Sequence, residues 1–147
     1  VPQNLVPFIT QSAAGLRGPL SVYGNDYPTE DGTAVRDYIH VVDLAEAHRV
    51  ALERLLHGQG QASMEVFNLG TGKGSSVLEV IQSFERATGQ TLGWAYAPRR
   101  AGDVIAAYAD TTKAREVLGW VAEKSLDEAM RDAWAWQVAL GSDSQKP

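Results

Sequence analysis

The chain has 147 residues, 44% of them apolar, which suits one domain around one hydrophobic core. A formal net charge of −5 and a pI near 5.1, without any long basic run, argue against nucleic acid or an anionic membrane as the main partner, but leave room for a small anion held by a few arginines. The absence of cysteine removes disulfides, thiolate catalysis and zinc–thiolate sites together, and fits a cytoplasmic protein.

Residues 1–7 carry no positive stretch ahead of an apolar one, and no apolar run reaches bilayer length, so a soluble protein is expected. The chain opens without methionine and enters a helical pattern almost at once, as a fragment would. Asn4 can cap a helix to about Leu16 with Leu5, Phe8, Ile9 and Ala13 on one face. Leu20 to Tyr23 reads as a short strand. Gly24 to Thr33, dense in turn formers, reads as a loop before an extended run from Val35 to Val41. Asp43 and Glu46 resemble a capping box opening a helix with Leu44, Ala47, Ala51, Leu52 and Leu55 at helical spacing.

Met64 to Leu69 reads as a strand leading into a glycine-rich turn, and Ser76-x-x-Glu79 as a capping box that opens a helix ending at Gly89. A strand is expected at about Leu92 to Tyr96, a short helix from Asp110 to Gly119, and a last helix behind Ser125-x-x-Glu128. Residues 141–147 read as a disordered tail. The alternation of helix and strand signals gives a mixed α/β fold.

Three segments could carry chemistry. The turn Gly70-Thr71-Gly72-Lys73-Gly74 lacks the G-x-G-x-x-G spacing of a dinucleotide loop and the Lys-Ser/Thr ending of a P-loop, so it reads as a tight strand-to-helix turn. Arg36-Asp37-Tyr38-Ile39-His40 could offer a guanidinium fork to a diphosphate, or equally an arginine–aspartate ion pair and a packed histidine. Arg99-Arg100-Ala101-Gly102-Asp103 follows a proline and belongs on a loop, where it could grip phosphate and ribose or simply be a charged surface. His40, His48 and His57 have no zincin spacing, no serine stands in a G-x-S-x-G elbow, and no metal site or catalytic residue is assigned. Trp94, Trp120, Trp134 and Trp136 read as core and interface.

Asn4 to Pro7, the long motif Tyr23 to Val41, Asp43-Leu44-Ala45, Phe67 to Gly72 and Pro98 to Asp103 together resemble, in order, the C-terminal portion of UDP-galactose 4-epimerases. The Asn-Asp-Tyr-Pro-Thr stretch ahead of Arg36-Asp37 sets this family apart from related nucleotide-sugar dehydratases and decarboxylases. The resemblance implies an extended short-chain dehydrogenase/reductase: its C-terminal substrate-binding part, residues 1–140, with the last strand–helix elements of the Rossmann domain. It also implies interconversion of UDP-glucose and UDP-galactose through hydride transfer to and from NAD at C4 of the hexose. The family's base is the tyrosine of Tyr-x-x-x-Lys. Four positions beyond the five tyrosines stand Tyr27, Asp31, Val42, Arg100 and Thr112, so this chain carries no such pair and is expected to bind no NAD alone.

Carried over onto matching positions, the resemblance places Asn4 and Leu5 near the pyrophosphate and uracil, and Ser21 and Tyr23 at the uracil. Arg36 and Arg100 would hold the diphosphate, Asp103 a ribose hydroxyl, and Val77 would pack nearby. Ala107 stands where glucose/galactose-restricted bacterial epimerases commonly place tyrosine, which implies room for UDP-N-acetylhexosamines. The family is homodimeric, and its helix from Asp43 packs on the cofactor domain, so this chain alone is expected to be poorly stable or to self-associate. A dehydratase of the same superfamily and a non-catalytic UDP-sugar-binding module are the rival readings.

Overall fold

The computed structural model describes residues 4–143. Helix α1 (Leu5–Ala13) begins after the extended backbone of Asn4, whose side chain makes no cap bond, and buries Ile9. Strand β1 (Leu20–Tyr23) alternates in the manner of a half-buried strand, with Leu20 and Val22 in the core and Ser21 and Tyr23 on the other face. It pairs in parallel with β4 (Trp94–Ala97), which starts two residues later than the sequence pattern indicates.

A second sheet is built from three two-residue strands. In it β2 (Val35–Arg36) lies between β3 (Ser75–Ser76), antiparallel, and β5 (Ala106–Ala107), parallel. Thus only Val35 and Arg36 of the expected extended run join a ladder. Helix α2 (Val41–Leu56) then opens two residues before Asp43, because the His40 ring Nδ1 accepts the Val42 N–H at 3.0 Å and acts as the cap. The expected Asp43–Glu46 capping box does not form. Asp43 is buried instead and accepts the Lys124 N–H at 2.9 Å.

Helix α3 (Val77–Thr88) carries the reciprocal Ser76–Glu79 box and ends on Gly89 at φ +69°, a left-handed value that costs glycine nothing. A π-helical turn (Ala114–Leu118) closes on Gly119, and helix α4 (Leu126–Asp143) follows Ser125. This last helix runs to Asp143, three residues into the stretch whose composition reads as a disordered tail; residues 144–147 lie outside the described ones. The strand expected at Met64 to Leu69 joins no ladder among the described residues and remains irregular.

The main core joins α1, β1, α3 and α4 through Ile9, Val22, Val80, Ile81, Phe84 and Met130, with Trp134 edge-on to Phe84 at 5.8 Å. A smaller core holds Ala47 of α2 against Ala114 and Trp120, whose indole N–H donates to the Asp43 carbonyl. The outer face of α2 has no such cover. Leu52, Leu55 and Leu56 are 55%, 73% and 74% exposed.

Candidate functional site

A cavity of about 850 Å³ opens between the start of α1, the polar face of β1, β2 and the loop after β4. Its size is that of a site for a small organic ligand. Period-two alternation places its residues: β1 turns Leu20 and Val22 into the core and thereby aims Ser21 and Tyr23 the other way. At the entry of α3, Val77 lines the wall, its N–H bonded to the Ala34 carbonyl.

Two arginines meet here from distant segments. Arg36, at the end of β2, donates from Nη1 to the Val35 carbonyl at 2.8 Å and pairs through Nη2 with Asp103 Oδ1 at 3.3 Å. Arg100 lies with its guanidinium carbon 3.8 Å from the Tyr23 ring centre. Its hydrogen bond and charge hold the Tyr23 phenol below its ordinary pKa, with a smaller contribution from Ser21. Gly102, at φ +85°, turns the chain so that Asp103, its N–H on the Arg100 carbonyl, reaches Arg36. Tyr38 also lines the cavity but is buried deeply enough to push its pKa up to about 12, so it remains a neutral phenol near neutral pH.

Eight of the nine residues singled out in the sequence line this one cavity: Asn4, Leu5, Ser21, Tyr23, Arg36, Val77, Arg100 and Asp103. Ala107 does not. It is an exposed residue of β5 paired with Arg36 in the ladder. Pro7, Phe8, Ala34, Ile39 and Val41 also line the wall; all but Phe8 stand inside the motifs that carry the resemblance, though none was assigned a contact there.

Asp37 has a part that sequence spacing does not reveal. Oδ1 accepts the Thr71 N–H at 2.9 Å and the Thr71 hydroxyl at 2.8 Å, and Oδ2 accepts the Ala109 N–H at 3.1 Å. The aspartate therefore ties β2 to the glycine-rich turn and to the exit of β5. A side chain at Gly70 would put its Cβ 2.2 Å from Asp37 Oδ2, and one at Gly74 the same distance from Val35 Cγ1. The turn's Thr71 donors are thus engaged, and Gly70 and Gly74 are required by packing. Its spacing and its engaged Thr71 donors differ from those of a dinucleotide pyrophosphate loop.

His40 Nε2 faces Asp132 Oδ2 at 3.2 Å, linking the start of α2 to α4. Among the described residues, no group of three histidines or carboxylates could hold a metal ion, and no helix is long and apolar enough to cross a membrane.

The UDP-glucose 4-epimerase of Yersinia pestis is 54% identical over 137 residues, 93% of this chain and 40% of its own length. The crystal structure of the Stenotrophomonas maltophila UDP-glucose-4-epimerase, with bound NAD and formylated UDP-arabinopyranose, superposes with a TM-score of 0.91 at 48% identity, covering 97% of this chain and 41% of that one. The Bifidobacterium longum UDP-glucose 4-epimerase, in complex with NAD+ and UDP, gives 0.86 at 45% identity, with coverages of 95% and 40%. The chain therefore has their mixed α/β fold and spans about 40% of their length. The family described as GDP-mannose 4,6 dehydratase matches residues 1–133, and the chain belongs to this family of extended short-chain dehydrogenase/reductases, in the company of UDP-glucose 4-epimerases.

Proposed function

We propose that this chain forms the UDP-sugar site of a UDP-glucose 4-epimerase, an isomerase that interconverts UDP-glucose and UDP-galactose with NAD. The observation that carries the reading is the meeting of Arg36, Arg100 and Asp103 at one wall of a cavity that also holds the start of α1 and the Ser21–Tyr23 face. Planar guanidinium forks match the oxygens of a diphosphate, and the first N–H groups of α1 add partial positive charge. Asp103, an acceptor, suits a ribose hydroxyl. Ser21 and Tyr23 suit the edge and face of a uracil, with Val77 closing the apolar side.

When bound to the complete enzyme, NAD supplies the hydride chemistry at C4. No residue of this chain takes that role: Tyr38 is held neutral, and no tyrosine is followed by lysine four positions on. The chain alone is therefore expected to bind UDP without turnover. The same reading makes the complete enzyme a cytoplasmic homodimer, with residues 1–140 as its UDP-sugar portion. The same reading extends to UDP-N-acetylhexosamines, on the ground that the small Ala107 is the ladder partner of Arg36.

Calorimetric titration of UDP into the chain tests the site. Each of Arg36→Ala and Arg100→Ala should weaken binding by about tenfold to a hundredfold, the loss expected when a charged hydrogen bond is removed. Equal affinity of parent and both variants would overturn the assignment.

A further inference from the structure

Only one of the two adjacent arginines enters the cavity. β4 leaves the sheet at Ala97, whose carbonyl accepts the Gly24 N–H at 2.8 Å, and after Pro98 the chain presents Arg99 and Arg100 in opposite directions. Arg100 goes to Tyr23. Arg99 goes to the loop 24–33, where Nε donates to Asp26 Oδ1 at 2.7 Å, Nη2 donates to the Asp26 carbonyl, and the guanidinium carbon sits 4.0 Å from the Tyr27 ring centre. Tyr27 is buried, so this platform is fixed. Gly24 makes room for the stack, because a Cβ there would lie 2.5 Å from Tyr27 Cε2 and 2.9 Å from Arg99 Cγ.

The Tyr27 loop is itself fastened to the cavity wall. Asp31 accepts from the Thr33 N–H at 2.8 Å and the Thr33 hydroxyl at 2.7 Å, and also from the hydroxyl of Ser76, the residue immediately before Val77. Restraint from Arg99 therefore reaches the backbone that carries Arg100 and connects it to the opposite wall.

We infer that Arg99 is a positioning residue for the nucleotide diphosphate: by locking residues 98–100 onto the Asp26–Tyr27 platform, it holds the Arg100 guanidinium in place before ligand arrives. This rests on the UDP-sugar reading of the cavity. Preorganisation of this kind raises affinity by lowering the ordering cost at binding, without any contact between Arg99 and ligand. Lysine cannot replace it, since a single ammonium provides neither the planar stack nor the two-point grip on Asp26.

The test titrates UDP and uridine calorimetrically into the parent chain and into Arg99→Ala, Arg99→Lys, Asp26→Asn and Arg100→Ala. Alkaline titration of Tyr23, followed by NMR with ring-labelled tyrosine, reports on the Arg100–Tyr23 contact independently of ligand. Expected are a loss of about tenfold in UDP affinity for both Arg99 variants, a smaller loss for Asp26→Asn, unchanged uridine binding, and Tyr23 titrating at higher pH in Arg99→Ala. Unchanged uridine binding shows that a variant is folded. If Arg100→Ala weakens UDP binding but Arg99→Ala does not, the inference falls and the nucleotide reading stands. If the parent chain does not bind UDP, or Arg100→Ala binds it as the parent does, the reading falls and takes the inference with it.

Discussion

On the proposed UDP-sugar reading, Ala107 is the residue through which substrate choice can be tested. It is small and exposed, and the β2–β5 ladder places it opposite Arg36, so a bulkier side chain there would project beside the clamp. In the full-length protein, Ala107→Tyr is expected to lower kcat/KM for UDP-N-acetylglucosamine by at least about tenfold relative to UDP-glucose, the scale on which pocket volume discriminates between substrates. Steady-state assays with both substrates decide it, and an unchanged ratio would sink the idea. The adjacent arginines show what residue-level reading can and cannot supply. Motif order pointed to Arg36 and Arg100 together, but nothing in the sequence says that Arg99 turns away to Tyr27, because that depends on where the Gly24–Thr33 loop folds back. Asp37 was equally hidden. Its neighbour in sequence is Arg36, which suggests an ion pair between neighbouring segments, whereas Arg36 pairs with Asp103 and Asp37 accepts from Thr71 and Ala109.

Among the elements, those specified by contacts three or four residues apart were legible. The Ser76–Glu79 and Ser125–Glu128 boxes and the left-handed Gly89 and Gly119 fall where the sequence puts them. Elements that need a distant partner were less so: Met64 to Leu69 has strand composition and no strand beside it, and α2 starts on a histidine cap outside the usual capping set. The α4 box also predicts a pH response. Glu128 Oε2 accepts the Ser125 N–H at 2.9 Å and its hydroxyl at 2.8 Å, and Oε1 takes the Lys124 ammonium at 3.0 Å. These bonds, the backbone N–H foremost, bring its pKa down to about 2 from 4.5. A carboxyl group depressed in the folded state contributes stability that is fully present above its unfolded value and is lost as the pH falls toward the folded one. The contribution should therefore fade between about pH 4.5 and 2. The midpoint of urea unfolding should drop from pH 6 to pH 3, with a shallower drop in Glu128→Gln. A decline equally steep in parent and variant would show that the cap does not contribute to it.

At the scale of the molecule, α2 carries three of the most exposed leucines of the described residues. α1, β1, α3 and α4 share one core, whereas α2 packs through Ala47 on the Trp120 cluster, is tied by Asp43 to the Lys124 N–H, and presents Leu52, Leu55 and Leu56 outward. Beside its end, held by the two-point Arg54–Glu65 pair, run Met64 and Val66, also exposed. Apolar patches of this kind promote association. Sedimentation velocity across a concentration series should thus show the chain self-associating. The double variant Leu52→Lys, Leu55→Lys should shift it toward monomer, since lysine retains helix propensity while removing the apolar contact. Two lysines bring the net charge of −5 closer to zero, so a fall in association could not be credited to greater repulsion between copies. Unchanged helical content by circular dichroism would confirm that the variant keeps its fold. A chain that stays monomeric throughout, or a variant that associates as strongly as its parent, would place the cause elsewhere than the α2 face.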